Sequence, residues 1–511
     1  MYAVLQSFGL NGLQGFKVVV EADVCLGMDA FAIVGLPDSA VRESADRVRA
    51  AARNLHYRWP AGRVTVNLAP ADVRKTGPVY DLPLLLAVLA ASRQIRVPSP
   101  GTAFLGEVAL DGSLRPVAGV LPMALAAAEA GVQALYLPAD NAAEAAEACG
   151  STGMCVYPAQ TVSQVVEALE GETTILPTEA IPFVPDSGPD ACPDFADVLG
   201  QDMARRAMVV AAAGGHNVLM IGAPGTGKSM LAKRLPGILP PLTREESVET
   251  AKIYSVAGLL PRGSGLITTR PFRSPHHSAS PAALAGGGSQ FRPGECSLAN
   301  AGVLFLDELP EFPRESLEVL RQPLEDGQIT ISRAAGSATY PSHFQLVAAM
   351  NPCRCGYFGH PSRPCTCSAR AVQQYRSRVS GPLLDRIDLY VQMAPISYSE
   401  LHSTGQRITS AEMRQQVLAA RQIQAERFEA LGYQNVPCNA RLSASQVREV
   451  CQMEPDADQL LKKSFDRLGL SARSHDRILR VARTIADLAG TEQIEVNALL
   501  EALQYRPQEN F

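Results

Sequence analysis

The chain reads as a multidomain α/β protein that ends in a helical region, and three observations predict it. Short β-like runs alternate with helical runs through the first 170 residues. A glycine-rich loop sits between an apolar strand and a helix. From about residue 396 onward the apolar periodicity is helical. At 511 residues the chain is too long for one core, and ordinary domain sizes divide it into about three units.

In the first unit, residues 1–170, β-like runs at 17–22, 30–35, 63–68, 103–109 and 134–137 alternate with helical runs at 38–54, 83–92, 122–131 and 141–149. Residues 171–193 carry five prolines and no apolar periodicity, the composition of an extended linker. The second unit, 194–395, opens with a helical run at 198–213 and an apolar strand at 217–221, then alternates β and α again. The third, 396–511, is a helical lid with runs at 410–431, 443–453, 455–468, 474–489 and 495–504.

Composition narrows the function classes. A chain 46% hydrophobic and 19% charged is ordinary for a soluble protein, and it contains no run of eighteen apolar residues, so no membrane partner is expected. The start lacks the basic segment and long apolar stretch of a secretory signal, so a cytoplasmic location is expected. A formal net charge of −5 means that any nucleic-acid contact must come from a local basic surface. Eleven cysteines, an odd number in a chain without a signal, argue against a disulfide framework.

The glycine-rich loop is Gly222-Ala223-Pro224-Gly225-Thr226-Gly227-Lys228-Ser229. Phosphate binding at a strand-to-helix turn needs backbone N–H groups aimed at one anion, and glycines permit the backbone angles that build such a nest. Lys228 then reaches the β- and γ-phosphates of ATP, and the Ser229 hydroxyl joins the Mg²⁺ shell. Val303-Leu304-Phe305-Leu306-Asp307-Glu308 supplies an apolar strand ending in two carboxylates. Asp307 is expected to organise Mg²⁺ and Glu308 to polarise the attacking water. A further apolar strand ends at Asn351, an amide placed to position that water.

This order of elements resembles the AAA+ superfamily, and the resemblance implies a ring. In such rings an arginine from the next subunit stabilises the transferring phosphate. Gly381-Pro382-Leu383-Leu384-Asp385-Arg386-Ile387-Asp388 is similar to the family's finger segment, which makes Arg386 the finger. The lid's sensor arginine opens a helix in that family; Arg473 matches, with Arg477 as the alternate.

Residues 262–294, between the loop helix and the acidic strand, hold four arginines, two histidines and no acid. Such a segment, including Arg270, Arg273 and the run Gly286-Gly287-Gly288, suits a mobile loop on a phosphate backbone. The alternative is a solvated loop packed against a neighbouring subunit. Adjacent His276 and His277 generally point in different directions and are discounted as a metal pair. Residues 328–340 carry a hairpin signal. The hairpin resembles the pore hairpin of the AAA+ branch that contains magnesium-chelatase motors and replicative ring helicases, which places Arg333 near its tip, facing the channel. Two Cys-x-Cys pairs, Cys353 with Cys355 and Cys365 with Cys367, are separated by nine residues. They suit a structural Cys₄ Zn²⁺ site, or else a reduced, packed cluster.

Residues 1–170 resemble the proteolytic domain of Lon-type proteases, a fold related to ribosomal protein S5, through Val66-Asn67-Leu68-Ala69-Pro70-Ala71-Asp72, Lys75-Thr76-Gly77-Pro78 and Phe104-Leu105-Gly106-Glu107. Where that family has its nucleophilic serine and its lysine base, this chain has Val79 and Leu121. Neither side chain can do that chemistry, so a non-proteolytic domain is expected, serving assembly or nucleic-acid binding. The whole arrangement is similar to the bacterial ComM/YifB family. Its further phrases are Val34-Gly35-Leu36-Pro37-Asp38, Phe272-Arg273-Ser274-Pro275-His276-His277 and Met350-Asn351-Pro352-Cys353. That resemblance implies a homo-hexameric ring helicase for single-stranded and branched DNA, driving branch migration in natural transformation beside recombinase machinery. A metal-insertion ATPase subunit, an ATP-dependent protease and a non-motor ATP switch remain as rivals.

Overall fold

The computed structural model describes the chain except residues 149, 151–152, 186–191, 262, 289–290, 334–335, 396–406, 435 and 508–511. Its first layer is a seven-stranded sheet. Strands β1 (Tyr2–Asn11), β2 (Gln14–Cys25), β3 (Ala30–Val34), β4 (Arg63–Ala69), β5 (Thr102–Phe104), β6 (Ala134–Pro138) and β7 (Cys155–Ala159) lie in the order β3-β4-β2-β1-β5-β6-β7. β1 and β2 form a hairpin in which Asn11 faces Gln14 across Gly12 and Leu13. Gly12, the first central residue of this two-residue turn, has φ 62°, as a type II′ turn requires. That turn signal stood in the sequence, yet β1, β7 and helix α5 below are absent from the runs read there.

Helices α1 (Ser39–Asn54), α2 (Asp81–Ala91), α3 (Val120–Glu129), α4 (Ala142–Ala146) and α5 (Val162–Glu170) accompany this sheet. Every residue of α2 is buried. An apolar helix with a single acid needs a partner for it, and Arg47 Nε donates to Asp81 at 2.8 Å. Val79 and Leu121 are both buried.

The second layer begins with α6 (Asp202–Gly214), β8 (Val218–Gly222), α7 (Lys228–Arg234) and α8 (Arg244–Ala257). It continues with β9 (Phe272–Arg273), β10 (Val303–Leu306), α9 (Arg321–Asp326), the hairpin β11 (Gln328–Arg333) and β12 (Gly336–Pro341), β13 (Gln345–Met350), α10 (Gly381–Leu384) and β14 (Leu389–Met393). Five strands form one sheet in the order β9-β10-β13-β8-β14, and every neighbouring pair is parallel. Strands buried on both faces read as continuous apolar runs, which is why β8, β10 and β13 stood out in the sequence.

The lid comprises α11 (Ser410–Ala430), α12 (Ala444–Val450), α13 (Pro455–Leu468), α14 (Ala472–Ala489) and α15 (Val496–Gln504). Thr409 and Glu412 form a capping box that starts α11. Arg483 is fully buried, and its guanidinium is satisfied by Asp487 and by the carbonyls of Thr491 and Glu492. The mixed α/β class with a helical C-terminal region is therefore observed. Among the described residues no helix is long and apolar enough to cross a membrane.

The two layers meet at α8. The Gly119 N–H donates to the Ser255 carbonyl at 2.8 Å, and the Ser255 hydroxyl donates to Glu144 at 2.6 Å. Leu121, at the position where a Lon-type base would stand, packs with Ala251 and Leu266 of the second layer. Burial holds the Glu144 carboxyl above the usual range.

Candidate active site

Parallel strands present their C-terminal tips at one edge, where loops build ligand sites. Because β13 lies between β10 and β8, Asn351 falls between the acidic tip and the glycine-rich loop. Ile221 is in register with Met350, so Gly222 and Asn351 leave the sheet at the same level.

Within the loop, Gly225 and Gly227 have φ of 83° and 91°, angles at which a side chain would strain the backbone. Thr226 Oγ1 donates to the Ala223 carbonyl at 2.9 Å and closes the turn. Lys228 opens α7 and folds back. Its Nζ donates to the carbonyls of Gly222 (2.7 Å) and Ala223 (3.0 Å) and to Asn351 Oδ1 (3.2 Å). Burial lowers the pKa of this ammonium, while Asp307 and Glu308 oppose the shift. Ser229 Oγ donates to Asp307 Oδ2 at 2.6 Å, so the two expected Mg²⁺ ligands already face each other. This oxygen pair at the mouth of a phosphate loop fits a hard divalent cation.

Glu308 has a left-handed backbone, φ 53°. Its carboxylate lies 3.2 Å from His277 Nδ1, and the His277 ring lies 4.0 Å from that of His276. His277 is a site residue that sequence reasoning set aside. Adjacent histidines were weighed there only as a metal pair, whereas here one of them meets Glu308, the acid expected to polarise water.

Arg386 lies at the other edge of the sheet. Its carbonyl accepts from Asn217 Nδ2 at 2.8 Å, and Asn217 precedes β8. The five residues of β8 separate the two edges by roughly 15 Å. The Arg386 guanidinium donates to the Pro382 carbonyl at 2.6 Å and to Glu325 on α9. That bond holds the Glu325 carboxyl below its ordinary range, with a smaller contribution from the charge of Arg473. Arg477 donates to the Ile387 carbonyl at 2.8 Å. Both lid arginines thus stand at the Arg386 edge, away from Lys228 of the same chain.

Arg270 and Arg273 depart from the expectation of a basic loop on DNA. Arg270 is sunk among the carbonyls of Pro240, Pro241 and Ala301 and pairs with Glu246 at 3.0 Å. Arg273 makes a two-pronged pair with Glu295, at 2.6 and 2.8 Å. The window 262–294 contains no acid, but Glu246 on α8 and Glu295 just past its end neutralise both arginines in space. Both are engaged in ion pairs within the chain. The hairpin is present, with Ile329, Ile331, Ala338 and Tyr340 buried. Arg333 ends β11 opposite Gly336, and its side chain lies outside the described residues.

After Asn351 the chain brings Cys353, Cys355, Cys365 and Cys367 together, their sulfurs all within 4.8 Å of one another. Backbone N–H groups of Tyr357 and Thr366 pull the Cys355 thiol down to about 5.

The sequence profile of "Magnesium chelatase, subunit ChlI" matches residues 194–401. "Subunit ChlI of Mg-chelatase" matches 20–141, and "Magnesium chelatase, subunit ChlI C-terminal" matches 407–506. The chain is 44% identical to "Competence protein ComM" of Haemophilus influenzae over 515 residues, covering 99% of this chain and 97% of that one. It is 41% identical to the "Uncharacterized protein YifB" of Escherichia coli over 500 residues, covering 97% and 95%. The chain belongs to the ComM/YifB family. A "Magnesium-chelatase 38 kDa subunit" of Rhodobacter capsulatus is 26% identical over 177 residues, 31% of this chain and 50% of that one. The ComM/YifB chain therefore carries a chelatase-type AAA+ core, and with it come ATPase activity and the use of ATP and Mg²⁺.

Proposed function

We propose that the chain is a subunit of a ring-shaped, hexameric DNA motor that hydrolyses ATP between subunits and drives branch migration of incoming single-stranded DNA in natural transformation. The observation that carries the ring is the separation of the two halves of the site. Lys228, Ser229, Asp307, Glu308 and Asn351 occupy one edge of the sheet, and Arg386 with Arg473 occupies the other. No single subunit completes the site. A head-to-tail ring brings each arginine edge to the next subunit's loop.

In this reading the loop amides and Lys228 hold the phosphates, and Lys228 exchanges its carbonyl partners for the nucleotide. Ser229 and Asp307 would hold a Mg²⁺ ion, which would supply positive charge to the phosphates. Glu308 orients the water and accepts its proton, Asn351 fixes the water's position, and Arg386 of the partner subunit stabilises the transferring phosphate. Arg386 must first leave Glu325, so the finger is held inactive until a neighbour's nucleotide competes for it. Arg333 at the hairpin tip contacts the DNA backbone in the channel, in a cytoplasmic ring beside recombinase machinery.

The DNA substrate is supported by full-length similarity to a protein named for competence. The magnesium-chelatase relative, similar over 31% of the chain, supports a metal-insertion ATPase less well. One assay separates them: the ATPase rate with and without single-stranded and branched DNA, with strand displacement followed in parallel. Stimulation by DNA with ATP-dependent displacement is expected. A rate indifferent to DNA, or a chain that switches and assembles but displaces nothing, sinks the DNA-motor reading.

A further inference from the structure

The loop that leaves Asn351 carries a site with its own chemistry. Three of its sulfur separations are Cys353–Cys355 3.3 Å, Cys353–Cys365 3.7 Å and Cys355–Cys365 3.6 Å. All four cysteines are free thiols. Four thiolates on one zinc ion, each about 2.3 Å from the metal, stand about 3.8 Å apart. The three separations match such a tetrahedron to within about 0.5 Å. The Cys367 N–H points at Cys365 Sγ, 3.4 Å away, a donor set to stabilise a thiolate. Sulfurs this close leave no room for inorganic sulfide, so the site suits a single ion rather than an iron–sulfur cluster.

What the loop touches gives the site its consequence. Gly356, between the second and third cysteines, has φ 86°, and a Cβ built there would fall 2.6 Å from Pro224 Cδ. The cysteine loop therefore lies directly on the phosphate loop at a point where only glycine fits. At its root, Asn351 holds Lys228. Arg376 anchors the same segment, donating to the Pro352 carbonyl at 3.1 Å and stacking over the Phe358 ring. Two contacts, at Pro224 and Lys228, thus join the cysteine cluster to the residues that hold phosphate.

We propose that the four cysteines bind one zinc ion, each thiol releasing its proton, and that this ion raises nucleotide affinity by fixing the loop 352–367 against the phosphate loop. The inference rests on ATP binding at Lys228 and on no DNA activity. Coupling between two sites is reciprocal, so ATP must tighten zinc retention by the factor by which zinc tightens ATP.

The experiment uses the full chain. Elemental analysis is expected to find one zinc per chain; iron or no metal overturns the site. Stripping zinc with a strong chelator is expected to weaken binding of a fluorescent ATP analogue roughly tenfold, within the usual range for coupled sites, and adding zinc back to restore it. ATP is expected to shift the chelator competition by the same factor. Zinc that leaves without changing nucleotide affinity overturns the coupling. Gly356→Val keeps all four cysteines, so it reads the coupling even if the stripped chain unfolds. It is expected to retain its zinc and still lose nucleotide affinity, and unchanged affinity overturns the contact argument. A zinc-loaded chain that binds no ATP at all overturns the nucleotide reading itself, and the coupling with it.

Discussion

The two edges of the five-stranded sheet hold opposite kinds of site. At the strand tips, groups that expect a nucleotide are bonded to one another: Lys228 to Asn351 and to its own loop, Ser229 to Asp307, Glu308 to His277. At the strand starts, Arg386 is bonded to Glu325, and Arg473 contributes charge beside it. One edge is an acceptor of substrate with its ligands resting on each other. The other holds arginines whose described partners are Glu325 and backbone carbonyls of the same chain. In the proposed ring, activity is set by assembly, because the separation of roughly 15 Å exceeds the reach of any side-chain motion.

The largest effect is expected at the nucleotide edge. Lys228→Ala should abolish ATP binding and hydrolysis together, measured by analogue binding and phosphate release, and retained binding would unseat the loop assignment. Next comes the arginine edge. Arg386→Ala should leave ATP binding intact and lower hydrolysis by about 10³-fold, as removal of an arginine finger does. The comparison sharpens when the two variants are mixed. In a head-to-tail ring, about a quarter of the interfaces then pair an intact loop with an intact arginine, so a mixture of two inactive proteins should recover activity. A mixture that stays dead breaks the division between the edges. The smallest effect concerns His277. It shares a partly exposed pair with Glu308, of the kind worth up to about 1 kcal/mol, so His277→Ala should raise basal hydrolysis by no more than about fivefold at unchanged KM for ATP. A fall of a hundredfold instead would make His277 part of the hydrolytic machinery.

The nucleotide edge was legible in the sequence because its chemistry is local. Lys228 and Ser229 adjoin their glycines, and Asp307, Glu308 and Asn351 end apolar strands of unmistakable composition. The cysteine cluster was legible for the same reason. The arginine edge was legible only through resemblance, since nothing near residue 386 says which end of a parallel sheet it occupies; that follows from Asn217 and the strand order. Arg270 and Arg273 show the limit of reading charge by window. An acid 24 or 22 residues away along the chain is invisible to a count within a window, and Glu246 and Glu295 pair in space with Arg270 and Arg273.

Leu121 has a consequence for how the two layers are joined. Its side chain fills the seam against Ala251 and Leu266, and its N–H meets the Ser255 hydroxyl at 3.3 Å. The same seam holds the buried Glu144 carboxyl, to which the Ser255 hydroxyl donates at 2.6 Å. An aliphatic side chain at this position joins the seven-stranded sheet to helix α8 through apolar contact and one backbone hydrogen bond.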